Sequence, residues 1–322
     1  MATSGSWNFQ MTAAQVIQSA YEDLGFIVPG GTLTSADITM ALSRLNQLVK
    51  QWQGTADRFP GLKVWTRQRL TVFPVSGQAR YLVGPASGDD RATASAVVTT
   101  LGAAKAANAT SITVASTTGM TAADQIGFVL AAGTIGWTTI TSVDSGTGLT
   151  VPANTLGAAN SGAVVYTYTS KAQRFPSLET ASLRDWSSPS QPIDIPVAVY
   201  TDVQQYEAVT QKLAPGDPLS ILIEPQRLNT AVTCNFAAVN MYKTLRLVAV
   251  YPSEDYDDAA GADDIAYPQE WYAALSWELA FRLAPSCGNW TQIMEANRQN
   301  ALGAAVGLNP QNTSSHFEPG KE

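Results

Sequence analysis

The sequence predicts an α+β chain: a helical bundle formed by N- and C-terminal helical hairpins, an antiparallel β host region, and a small all-β module inserted into it. Three observations predict this. Apolar residues recur at three- and four-residue steps near both ends, the periodicity of a one-sided helix. The middle of the chain is rich in β-branched and aromatic runs bounded by turn residues. Across residues 92–170 only Lys105, Asp124 and Asp144 carry charge, which marks that stretch as a unit of its own.

The elements follow in order. Thr12-Ala13-Ala14-Gln15 is a capping-box pattern. Val16, Ile17, Ala20, Tyr21 and Leu24 continue it as a buried stripe, and Gly25 suits the stop. Pro29-Gly30-Gly31 makes a turn. Thr34-Ser35-Ala36-Asp37 is an acidic variant of the same box, opening Ile38, Ala41, Leu42, Leu45, Leu48, Val49 and Trp52, up to Gly54. The two helices form an antiparallel hairpin. Residues 64–73 and 77–83 read as strands, the second closed by Gly84-Pro85. Within the charge-poor stretch, residues 111–114, 126–130, 137–143 and 164–168 read as short strands of a barrel or sandwich. Residues 200–207 suggest a short helix, and 220–225, 231–236 and 243–250 antiparallel strands.

Pro268 suits a first helical turn, where its missing N–H has no partner to lose. Trp271, Leu275, Leu279 and Leu283 mark one buried face. Pro285 and Gly288 stop that helix, and Asn289 caps a second through Ile293, Met294, Ala301 and Leu308. The polar tail, residues 311–322, cannot form a core and is expected to be disordered alone or ordered on a partner. The expected domains are 1–91 (helical hairpin and first strands), 92–170 (inserted β module), 171–308 (β region and C-terminal hairpin completing the host) and 309–322 (extended tail). The helical ends should meet to bury their stripes, with the β part projecting from the bundle.

Composition narrows the function. Charged residues make up 14% of the 322, against about 25% in typical soluble domains. A surface covered by neighbours explains this, and so does a β-rich secreted or surface protein. The net charge is −7 and Lys and Arg never cluster. Gripping the outside of a duplex needs several neutralised phosphates, so an acidic surface suits a conduit for DNA better than a clamp. Cys234 and Cys287 allow one disulfide or two free thiols. With a single histidine, His316, a zinc site is not expected. No apolar run approaches the ~20 residues of a membrane span. The N-terminus lacks the basic and apolar regions of a secretory signal, so synthesis in a cytoplasm-like compartment is expected.

No constellation points to catalysis. The acidic run Glu254, Asp255, Asp257, Asp258, Asp263 and Asp264 lacks the spacing of a calcium loop and reads as solvated. Glu270 and Glu278, eight residues apart on one helix, stand about 12 Å apart by helical rise, too far for a glycosidase pair. There is no phosphate loop, nucleophile elbow or triad. The expectation is a protein that is not an enzyme, with no catalytic, cofactor or metal residues. Aromatic and terminal residues are instead the candidate subunit interface: Trp7, Phe9, Trp52, Trp271, Trp290, His316 and Phe317.

Several of these segments resemble one family. Thr12-Ala13-Ala14-Gln15-Val16-Ile17-Gln18-Ser19-Ala20-Tyr21-Glu22-Asp23-Leu24-Gly25 resembles the start of the head-to-tail adaptors of short-tailed bacteriophages, also called packaged-DNA stabilisation or tail accessory proteins. So do the helix Ala41-Leu42-Ser43-Arg44-Leu45-Asn46-Gln47-Leu48-Val49-Lys50-Gln51-Trp52 and the strand Gly77-Gln78-Ala79-Arg80-Tyr81-Leu82-Val83-Gly84. Pro268-Gln269-Glu270-Trp271, with Leu279-Ala280 and Leu283-Ala284-Pro285, is similar to that family's C-terminal helix. The resemblance covers both helical ends and their adjoining strands. Ser111-Ile112-Thr113-Val114, Gly119-Met120, Asp124-Gln125-Ile126-Gly127 and residues 137–143 resemble a β module of assorted phage structural proteins, larger than the simplest adaptors carry.

The resemblance implies a dodecameric ring in the virion neck, made in the host bacterial cytoplasm. Its partners are copies of itself, the portal protein above, and a tail, nozzle or fibre protein below. Genomic double-stranded DNA passes through without sequence-specific contacts, and no cofactor is involved. Two other readings remain: a virion surface protein whose β insertion binds a host receptor or glycan, and a cell-wall hydrolase using Glu270 or Glu278.

Overall fold

A computed structural model of the chain describes residues 9–54, 66–153, 156–210, 212, 214–287 and 290–307. The chain divides into two compact units, residues 1–66 with 252–322, and residues 67–251. β segments on both sides of residues 92–170 group with that stretch, and helices from both ends form the other unit.

The helical unit opens on the expected capping box. The Thr12 N–H donates to Gln15 Oε1 at 2.9 Å, and the Gln15 N–H to Thr12 Oγ1 at 3.3 Å. Two of the orphan donors of α1 (Ala13–Asp23) are thereby satisfied. At α2 (Ser35–Gly54), the Thr34 N–H and hydroxyl both donate to Asp37 Oδ2, and the Asp37 N–H returns to Thr34 Oγ1.

The β unit begins with β1 (Arg67–Val72), β2 (Arg80–Val83) and β3 (Ala92–Thr93). Residues 64–65 of the first expected strand lie outside the described residues. The charge-poor stretch supplies β4 (Val97–Thr100), β5 (Ser111–Thr113), β6 (Gln125–Val129), β7 (Ile135–Thr139), β8 (Ser142–Val143), β9 (Gly148–Thr150) and β10 (Val164–Tyr168). These form an antiparallel four-stranded sheet, β4-β10-β6-β7, and a three-stranded one, β5-β9-β8. Ile112, Val114, Ile126, Phe128, Leu149 and Val165 fill the space between their inner faces. The expected strand at 137–143 is divided after Ile140: its N–H still bonds the Asp124 carbonyl in register with β6, at 2.8 Å, but the Thr141 N–H turns to the Thr150 carbonyl beside β9, at 2.8 Å. Two of this stretch's three charges are interior. Lys105 Nζ donates to the carbonyls of Ala106 and Gly157, and Asp124 accepts from the Thr121 N–H and hydroxyl. Asp144 alone of the three is exposed.

The chain continues through β11 (Ser177–Asp185), β12 (Ile193–Tyr200), α3 (Val203–Glu207), β13 (Ala214–Pro215), β14 (Ser220–Pro225), β15 (Thr230–Cys234), β16 (Phe236–Ala237) and β17 (Lys243–Val250). An eight-stranded sheet, β2-β15-β14-β12-β11-β17-β1-β3, curls into a nearly closed, barrel-like form. It is mixed rather than antiparallel as expected. β12 pairs in parallel with β14, because the crossover through α3 returns the chain in the same direction. β12 also changes partner along its length. Residues 193–197 pair with β11 and residues 198–200 with β14. Val72, Val83, Leu183, Ile221, Val232 and Leu247 line the barrel interior. A second cluster of Phe73, Val129, Val164, Tyr166, Tyr168 and Met241 joins the four-stranded sheet to the larger one.

The C-terminal part of the helical unit opens on a 3-10 turn, Gln269–Trp271, and continues as α4 (Tyr272–Cys287) and α5 (Gln292–Gly307). α4 runs past Pro285, which lies in its last turn and there removes one hydrogen bond. The second helix is capped by Thr291, whose Oγ1 accepts the Met294 N–H at 3.3 Å. Asn289, the expected cap, and Leu308 lie outside the described residues. The expected stripe on α5 is also shifted: Ile293 is 75% exposed, while Ala301, Leu302, Ala305 and Val306 face the core.

Trp271, Leu275, Leu279 and Leu283 are buried as expected, and α4 packs against α1 and α2. Each such leucine contributes about 1.5–3 kcal/mol on burial. The acidic run serves this packing through its backbone. The Gly261 carbonyl accepts the Ala14 N–H at 2.8 Å, and the Asp263 carbonyl the Ala13 N–H at 2.9 Å. A remote loop thus satisfies the first turn of α1, with carboxylates nearby that suit a helix N-terminus. Asn46 on α2 holds the same loop by two bonds to the Tyr256 backbone, at 2.8 and 2.9 Å.

Candidate functional site

The helical unit exposes aromatic surface in two places. Phe9 is 64% exposed and meets Tyr272 edge-on at 5.9 Å. It stands between two shallow grooves, one lined by Ile265, Pro268 and Glu270, the other by Met11, Ala14 and Gln18. The second surface lies on the α4–α5 hairpin. Phe281 and Trp290 meet edge-on at 5.1 Å, with Ile293 exposed on the same hairpin. The Arg298 guanidinium lies 4.6 Å from the centre of the Phe281 ring. It is fixed there by Glu278 at 2.6 Å and Glu295 at 2.7 Å. Hydrogen bonds from Arg298 and Gln299 lower the Glu295 carboxyl to about 2. The aromatic patch is therefore rimmed by a fixed ionic group, the arrangement of an apolar contact with a polar rim.

The sequence-derived contact residues separate into three sets. Phe9 and Trp290 lie at the surface of the helical unit, Phe9 exposed and Trp290 half-buried. Trp52 and Trp271 do not: their rings meet edge-on at 5.6 Å inside the core, at 3% and 0% exposure. An indole buried this way is spent on the fold and has no face left for a neighbour. Trp7, His316 and Phe317 lie outside the described residues. Sequence reasoning missed Phe281. The signal was available, since a phenylalanine directly after Leu279-Ala280 falls off the buried four-residue stripe.

Other sequence features resolve without chemistry. Glu278 is tied to Arg298, and Glu270 borders a Phe9 groove. Cys234 and Cys287 are free thiols, and burial pushes the Cys234 thiol up to about 12. Among the described residues there is no group of three or more side chains placed to hold a metal ion, and no helix long and apolar enough to cross a membrane.

In the β unit, the β1–β2 connection and β7 enclose a cleft. Pro74, Val75, Ile135 and Trp137 form its apolar walls, and Ser76, Asp89 and Arg91 its polar ones. Trp137 meets Phe73 and Tyr168 edge-on at 5.1 and 5.6 Å, and Phe73 and Tyr168 stack at 5.7 Å. Elsewhere, among the described residues, the sheet is open along residues 193–197 of β12, where β14 has not yet begun. The Ala198 N–H donates to the Leu219 carbonyl. Strand alternation therefore turns positions 194 and 196 toward this open edge, and Pro196 brings no N–H to it.

No protein-family model matches the chain, and no curated protein matches it significantly.

Proposed function

We propose that the protein is a structural head-to-tail adaptor of a short-tailed bacteriophage, acting by assembly and not by catalysis. Copies form a ring below the portal that extends the DNA channel, helps retain packaged DNA and offers a platform for the next tail component. One observation supports this most. Helices from the two ends of the chain share a single core and leave apolar surface on the α4–α5 hairpin, with Phe281 and Ile293 exposed and Trp290 half-buried against Phe281. An amphipathic helical pair that has satisfied its core and still shows large apolar rings is equipped for a partner. The first contact assigned to this patch is an adjacent copy. The net charge of −7, without basic clusters, favours DNA sliding past over DNA being held.

The test is assembly with a portal ring. Mass photometry of the purified chain with the cognate portal should show a discrete complex of many subunits, reduced by Ile293→Asp, an exposed position whose change spares the core. Hydrolysis of purified cell wall, lost on Glu270→Gln or Glu278→Gln, would instead favour the enzymatic reading.

A further inference from the structure

We infer that the cleft between the β1–β2 connection and β7 binds a neutral saccharide. Arg91 is pre-set there. Its Nη1 donates to the Tyr168 hydroxyl at 2.7 Å and to Gln125 Oε1 at 3.0 Å, and its guanidinium lies 4.8 Å from the Trp137 ring centre. Trp137 is itself fixed, because its ring rests on Gly127 so closely that a Cβ there would meet it at 2.8 Å. Arg91 therefore keeps Nε and Nη2 hydrogens without a partner among the described residues. Asp89 beside it is exposed, and its carboxylate is likewise without a hydrogen bond among them.

Charge decides the ligand class. Around the cleft, Arg91 and Lys171 are offset by Asp89 and Asp90. Lys171 is directed to Ser87 and the Gly88 carbonyl, and Asp90 to Gln78 and the Leu82 N–H. An anion would meet the free Asp89 carboxylate. An apolar ligand would strip water from Asp89 and Arg91 and give nothing back. Adjacent hydroxyls on a sugar ring accept from the guanidinium and donate to the carboxylate together. The C–H face of the ring meanwhile covers Pro74 and the Trp137 edge. The inference stands apart from the adaptor reading, and neither depends on the other.

The test uses the full chain and four neutral disaccharides: maltose, cellobiose, mannobiose and N,N′-diacetylchitobiose. Saturation-transfer NMR should show contact with at least one, concentrated on one ring face. Asp89→Asn, at a side chain with no hydrogen bond to lose among the described residues, should weaken binding roughly tenfold or more, the loss of one charge-assisted hydrogen bond. Arg91→Lys should weaken it similarly, since the planar fork is lost while the charge stays. Three results would overturn the inference: no transfer to any of the four at tens of millimolar, unchanged affinity in both variants, or displacement of the sugar by inorganic phosphate.

Discussion

Replacing Gly261 by alanine should loosen the helical unit where an acidic loop near one chain end clamps the first helix of the other. Gly261 has φ +69°, a conformation that L side chains resist, and its carbonyl holds the Ala14 N–H at 2.8 Å. A Cβ there would lie 2.9 Å from Ala14 N and 3.1 Å from Ala14 Cα. Those atoms belong to a helical turn and cannot swing aside as a flexible side chain would. Two costs therefore add. The left-handed backbone costs alanine about 1 kcal/mol more than glycine. Relieving the overlap draws the loop off α1 and weakens the bonds at Ala13 and Ala14, each worth about 1 kcal/mol net. The expected loss is about 3 kcal/mol, a roughly hundredfold shift toward the opened state. Gly30→Ala is the control: its φ is +80°, nothing lies within 4 Å of the added carbon, and only the backbone cost of about 1 kcal/mol applies. Hydrogen exchange followed by mass spectrometry, on peptides spanning residues 13–24 and 255–267, reads the difference. Equal protection in the two variants would refute the clamp.

Two further outcomes follow. Asp23 is part-buried and accepts from the Ser276 hydroxyl at 3.2 Å, and burial raises its pKa above 3.8. A raised folded-state pKa favours the folded state when the group is protonated, and that contribution is lost as pH rises through the folded value. The charged form is thus a cost at neutral pH, and Asp23→Asn should raise the urea midpoint at pH 7 but not at pH 3. An equal gain at both would point to packing instead. Pro196→Val restores an N–H on the open edge of β12 and should promote self-association of the β unit, read by light scattering against the unaltered chain. Unchanged scattering would show that the edge is protected by something other than the proline.

The helical ends were legible because their signals are local. Two capping boxes, and apolar residues at helical spacing from Val16 to Trp52 and from Trp271 to Leu283, need no knowledge of the rest of the chain. What was missed depends on tertiary context. β12 carries Pro196, which argues against a strand from sequence alone, yet its position on a half-open edge tolerates it. β11 is polar along most of its length, and its strand character comes from pairing with both β12 and β17. The parallel pairing of β12 with β14 follows from a crossover that no short window reveals. Burial of two of the contact residues depends on tertiary context in the same way. Trp52 and Trp271 look like anchors as residue types, but they occupy the buried stripe, whereas Phe281, midway between Leu279 and Leu283 and so off the stripe, is exposed. The cleft was not legible at all, since Val75, Arg91 and Trp137 are brought together only by the sheet-to-sheet packing around Phe73.

The most direct measurement is an electron cryo-microscopy map of the chain assembled with a portal. The account predicts a closed ring in which Phe281, Trp290 and Ile293 are covered by a neighbouring copy. A chain that stays single beside the portal, or a ring that leaves this patch in solvent, would contradict it.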